Sequence, residues 1–182
     1  MDYAEFYRQL LRPLEPDLGS ADPLTITAIV GFDAGGPLSF CSFGRDGPIE
    51  RRAYVSCELA LRDDQPPSAV GRYELLAHCA NEDWVRCVVS DIGRMSLDVA
   101  FDDGHSLDIG PWSDKDAAVQ GVVFERACTA DIEGSPFCVL RVIGITRSEL
   151  EYAQQHGVPR LLARLREAGT YPRTIPERRA VV

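Results

Sequence analysis

Residues Val139 to Gly169, VLRVIGITRSELEYAQQHGVPRLLARLREAG, constrain the fold most, because they read as a buried strand that turns at once into two short helices. Val139, Leu140, Val142, Ile143 and Ile145 form an apolar run of strand length. Thr146 to Glu149 has the Thr-x-x-Glu spacing of a helix N-terminus, where the hydroxyl accepts from an orphan backbone N–H and the carboxylate reaches back. Gly157 suits the left-handed end of the first helix and Pro159 the first turn of the second. Leu161, Leu162 and Leu165 share one face of that second helix, and Gly169 stops it.

The remaining segments supply the partners for this unit. Tyr3, Phe6, Tyr7, Leu10, Leu11 and Leu14 recur at helical spacing behind Asp2, a cap with Glu5 three positions on, and the helix stops near Pro13. Glu15 to Pro23 reads as a turn-rich linker. LTITAIVGF (Leu24 to Phe32) alternates and is β-branched, which predicts a strand; a second follows around Leu38 to Phe43, and Ala53, Val55, Cys57, Leu59 and Leu61 alternate in a third. GRYELLAHCA (Gly71 to Ala80) fits either a helix or a strand with Tyr73, Leu75, Ala77 and Cys79 on one side. From the cap Asn81, residues Trp84, Val85, Val88, Val89, Ile92, Met95 and Val99 keep helical spacing and predict the longest helix, with Gly93 marking a close approach to a strand. Asp102 to Gly104 then turns the chain toward strands near Ser106 to Ile109, Val122 to Thr129 and Phe137 to Ile145. This order implies an α+β domain, a mixed and largely antiparallel sheet packed against helices.

At 182 residues, with 45% hydrophobic and 26% charged side chains, the chain suits a single domain that folds without disulfide or metal. No apolar run reaches bilayer length, and the acidic start MDYAEFYRQL lacks a secretory pattern, so the cytoplasm is the expected compartment. The six cysteines show no Cys-x-x-Cys spacing and read as buried, unbridged thiols. His78, Cys79 and Cys87 would suit zinc chemically but lack a fourth ligand at a supporting spacing. The net charge of -9 disfavours nucleic acid and anionic membranes, and favours a basic protein partner. Residues 1–140 carry 11 basic and 24 acidic side chains, whereas 141–182 carry 8 and 4, so the acidity lies in the body and not in the tail.

The densest polar cluster is Asp98, Asp102, Asp103, His105 and Asp108. Clustered carboxylates with a histidine fit a metal-dependent hydrolase using Asp102, Asp103 and His105. They equally fit a turn whose aspartates bond to nearby backbone while Gly104 supplies a positive φ. No serine lies in Gly-x-Ser-x-Gly, and the Gly-Gly of FDAGGPLSF is followed by no phosphate-binding lysine and reads as a hairpin loop. No catalytic constellation, cofactor motif or metal loop stands out. Tyr54, Tyr73 and Trp84 read as packing residues. Trp112, in Gly110-Pro111-Trp112, is the aromatic expected at the surface, as a core lid or an interface anchor.

The series GRYELLAH, the Trp84-led helix, the Gly104-His105 turn, GVVF (Gly121 to Phe124), the Ile-Gly-Ile-Thr-x-x-Glu-Leu segment and the arginine-containing stretch Ile175 to Arg179 resembles the Suppressor of fused domain in order. The likeness spans roughly Gly71 to Arg179 and implies strand for GRYELLAH. It also implies an α+β protein-binding module without enzymatic activity. That family captures a partner peptide at the turn after its long helix, near a Gly-Asp-His sequence; here the place reads Asp102-Asp103-Gly104-His105, with the acid on the other side of glycine, and Met95 stands in the facing helix. The resemblance thus implies Asp102, Asp103 and His105 as partner-binding residues, joined by Trp112 as the exposed aromatic. Bacterial relatives are proposed to be immunity proteins that neutralise polymorphic toxins. A scaffold binding a host peptide by strand addition and the hydrolase reading stand beside that one.

Overall fold

The structure, a computed structural model, describes residues 2–22, 29–44, 48, 52–112 and 117–182. Its centre is strand β4 (Arg72–Cys79), the GRYELLAH segment, which is buried on both faces apart from its first residue. A strand covered twice needs apolar residues on both sides, and this one has Tyr73, Leu75, Ala77 and Cys79 on one face, with Leu76 beside two polar residues, Glu74 and His78, on the other. In order, the sheet runs β1 (Ala21–Asp22), β2 (Phe40–Phe43), β3 (Ala53–Ser56), β4, β7 (Ser135–Thr146), β6 (Val119–Ile132) and β5 (Ser106–Asp108). All neighbours are antiparallel except β4 and β7. Beyond Ala77↔Val142 the parallel pair forks, and β8 (Arg173–Thr174) takes over pairing with His78 and Cys79.

Helices cover both faces. The chain from Asn81, whose Oδ1 accepts from Trp84 N at 3.0 Å, runs through α3 (Glu82–Trp84), a π turn (Val85–Val89) and α4 (Ser90–Met95), and packs Val85, Val89 and Ile92 on Tyr73, Leu75 and Ala77. Gly93 is a place of close approach: a Cβ there would lie 2.7 Å from Leu38 Cδ1, just before β2. On the opposite face, α1 (Tyr3–Leu11), capped by Asp2, sets Phe6, Tyr7, Leu10 and Leu11 against Val55, Leu76 and Val139. Beside it, α5 (Arg147–His156) and α6 (Val158–Glu167) bury Leu150, Leu161, Leu162 and Leu165 on Val123, Ile143 and Ile145. Each of these leucines contributes about 1.5–3 kcal/mol relative to exposure.

Several sequence expectations are corrected. Glu15–Leu18, expected as linker, is a short helix, α2, ended by Gly19 at φ 81°. The strand expected over Leu24 to Phe32 falls mostly outside the described residues; its described end is no strand, because Ile29 is fully exposed and Phe32–Ala34 is a 3₁₀ turn. Alternation continues to Leu61, yet β3 ends at Ser56 and the chain bends away. The long helix stops at Met95, leaving Val99 52% exposed in the following turn. Inside it, the π turn rotates the apolar stripe, so that Trp84 and Val88 are only half-buried.

Candidate protein-binding surface

Strand β5 ends the sheet, and among the described residues it pairs with β6 alone. Phe124 N donates to His105 O and Ile109 N to Gln120 O, both at 2.9–3.0 Å, so odd-numbered residues face β6. The alternation of an antiparallel ladder then directs the N–H and C=O of Ser106 and Asp108 outward. Both side chains are exposed, and Leu107 between them is half-buried. Such an edge offers two donors and two acceptors to an added strand.

The acidic turn sits at one end of this edge. Asp102 Oδ2 accepts from Ala69 N at 2.8 Å, and its Oδ1 accepts from Asp103 N at 2.7 Å and lies 3.4 Å from Arg126 Nη2. Burial works against its charge, but these donors prevail and hold the carboxyl below its ordinary range. Asp103 Oδ1 accepts from Arg126 N at 3.0 Å, and Asp102 N donates to His105 Nδ1 at 3.2 Å, with Gly104 at φ 81°. The structure therefore brings Asp102, Asp103 and His105 together, and the local scaffold takes both carboxylate oxygens of Asp102 and one of Asp103. Asp108 is taken separately by a two-bond fork from Arg147, at 2.6 and 3.0 Å, and Asp98 lies in the turn after α4. Among the described residues no group of three or more His, Cys, Asp or Glu is placed to hold a metal ion. The hydrolase reading thus gains no support from the geometry. His78 and Cys79 are consecutive in β4 and point to opposite faces, which separates two of the three zinc candidates.

Trp112 lies at the other end of β5, its N–H bonded to Ile109 O, apart from the acidic turn. At 44% exposure it is no core lid. It lines a groove of about 660 Å³ with Trp84, Val88 and Cys87 of the helix, Val119 at the start of β6, and Pro176 and Glu177 of the C-terminal segment. Asp83 reaches the same groove. Cys87, expected to be buried, is exposed here. Sequence reasoning missed Trp84, Asp83 and Glu177: helical periodicity assigns Trp84 to the core, dipole logic explains Asp83 at a helix start, and Glu177 arrives from a segment far along the chain.

Two buried titratable groups belong to the scaffold. Glu74 accepts from Tyr7 Oη at 2.6 Å, Ala60 N at 2.9 Å and Ser56 Oγ; burial nonetheless pushes its carboxyl up to about 7. His78, with Nε2 unpartnered among the described residues, is pushed down to about 3 by burial and the nearby Arg141 charge. All six cysteines keep their thiols, and Cys57 Sγ, just past the end of β3, donates toward Cys41 Sγ of β2 at 2.9 Å. No described helix is long and apolar enough to cross a membrane.

No protein-family model and no curated protein matches the sequence. Solved structures do match over nearly the whole chain. A chain from the Sufu–Fu complex crystal structure is 17% identical, with TM-score 0.71 and coverage of 98% of this chain and 91% of that one. Drosophila Suppressor of Fused is 17% identical at TM-score 0.69, covering 94% of this chain and 49% of that one. A SUFU homologue from Neisseria gonorrhoeae FA 1090 is 16% identical at TM-score 0.66, covering 98% of both. The α+β sheet described above is therefore the Suppressor of fused fold.

Proposed function

We propose, starting from the Suppressor of fused fold of this chain, that it is a non-enzymatic protein-binding module and that its partner is a basic toxin domain which it neutralises as an immunity protein. The observation that carries this reading is the outer edge of β5, unpaired among the described residues and flanked by Asp102, Asp103 and His105 at one end and by Trp112 at the other. A partner strand laid along Ser106–Asp108 gains main-chain bonds, while the flanking residues select its side chains. The Sufu–Fu complex supplies a precedent for this fold holding another protein. The net charge of -9, concentrated before residue 141, favours a basic partner and speeds its approach.

The test is affinity capture from the native cell, with Ser106→Pro as the control variant. Proline there removes an outward N–H and no ladder bond, so it leaves the fold intact while blocking strand addition. The expected result is a basic toxin domain retained by the unaltered chain and lost by the variant. Consistent capture of housekeeping proteins contradicts the immunity role, and capture unaffected by Ser106→Pro contradicts the use of β5. Turnover of a small molecule, lost on replacing His105, contradicts the non-enzymatic reading altogether.

A further inference from the structure

Several carboxylates of this molecule are paired with arginine. Asp102 is paired with Arg126, Asp108 with Arg147, Glu125 with Arg141 and Arg166, Glu149 with Arg178, and Asp33 and Asp64 with Arg62. The two in the groove are among those that are not. Neither Asp83 nor Glu177 enters an ion pair among the described residues, and no described residue lining the groove is basic. The rest of the lining includes the two indoles, Val88, Val119 and Pro176. Aromatic rings attract cations through their negative faces, most strongly when the rings are tryptophan, and a neighbouring carboxylate adds a second, directional attraction. A purely apolar anchor would leave both carboxylates without a partner where it displaces their water.

We propose that this groove receives a cationic side chain of the bound protein, arginine or lysine, held between Trp84 and Trp112 and neutralised by Asp83 and Glu177. The proposal rests on the reading of the chain as a protein-binding module, and it assigns the partner's anchor. The groove opens where β5 ends, so one segment running along Ser106–Asp108 delivers that side chain as its next contact.

The chain has two tryptophans, and both line the groove, so fluorescence excited selectively at tryptophan reports on this site. The full chain is titrated with N-acetyl-arginine amide, and in parallel with N-acetyl-citrulline amide, which has nearly the same shape without the charge. The expected result is a saturable change with the arginine derivative and binding at least about fivefold weaker with the citrulline one. The double variant Asp83→Asn, Glu177→Gln, its fold checked by circular dichroism, weakens the arginine response by about the same factor. Equal responses to the two derivatives, no saturable response, or an unaltered response in the double variant overturns the proposal. Any of these leaves the β5 reading standing, since that reading fails on a different result, capture indifferent to Ser106→Pro.

Discussion

Gly144 and Thr174 share one space at the fork of β4 and β7. Gly144 N donates to Thr174 Oγ1 at 2.8 Å, and a Cβ on Gly144 would fall 2.5 Å from Thr174 Cγ2 and 2.9 Å from Val119 Cγ1. Gly144→Ala is expected to cost about 1–3 kcal/mol in urea unfolding. Adding Thr174→Ser, which keeps the hydroxyl and removes the methyl, recovers part of it; an alanine variant as stable as the parent contradicts the account. The glycine is visible in Ile-Gly-Ile-Thr, but its reason is not, because Thr174 crosses it from thirty residues away. The aspartates of the acidic turn show the same limit. Their clustering is plain in the sequence, whereas Arg126, which bonds to both, lies on another strand.

The capping box of α5 gains a second role from the end of the chain. Thr146 and Glu149 bond reciprocally as their spacing predicts, and Arg178 then forks onto both oxygens of Glu149 at 2.5 Å, with Val181 N adding 2.9 Å. Both side chains are almost wholly buried. Removing one partner strands the other, so Arg178→Met is expected to destabilise by roughly 3–5 kcal/mol. The double variant Glu149→Gln, Arg178→Met should lose clearly less than the two single losses together; strict additivity contradicts the pairing. At this scale the sequence was most legible where a strong period met a strong boundary, as in the β7–α5–α6 unit and the Asn81-capped helix. It was least legible at Glu15–Leu18, where two prolines sit near a helix they can start, and at the π turn, whose extra residue per turn no 3.6-residue period reveals. The groove depends on that turn, and so escaped the sequence reading.

Across the whole molecule, Glu74 and His78, both buried in β4, oppose each other. Glu74 binds its proton more tightly folded than unfolded, so the stability it contributes is full below pH 4.5 and is lost as pH rises toward about 7. His78 has a folded value near 3 against 6.5, so its contribution is full above pH 6.5 and is lost as pH falls. Glu149, held low because Arg178 and backbone donors outweigh burial, adds its own loss below 4.5. Each slope is about 1.4 kcal/mol per pH unit. Between pH 5 and 6.5 the Glu74 and His78 slopes cancel, and the parent is expected to be nearly level there. Glu74→Gln leaves His78 alone, and stability should rise by roughly 2 kcal/mol over that range. Parallel profiles for the two chains contradict the assignment.

The molecule-wide claim is that one edge of the sheet and its adjoining groove hold another protein. Hydrogen–deuterium exchange on the chain, alone and with its captured partner, tests this most directly. The account expects new protection at Ser106 and Asp108, whose N–H groups face away from β6, and around Trp84–Val88 and Trp112, with little change on α5 and α6. Protection confined to α5 and α6, or to α1, with the β5 amides exchanging as freely as before, would contradict it.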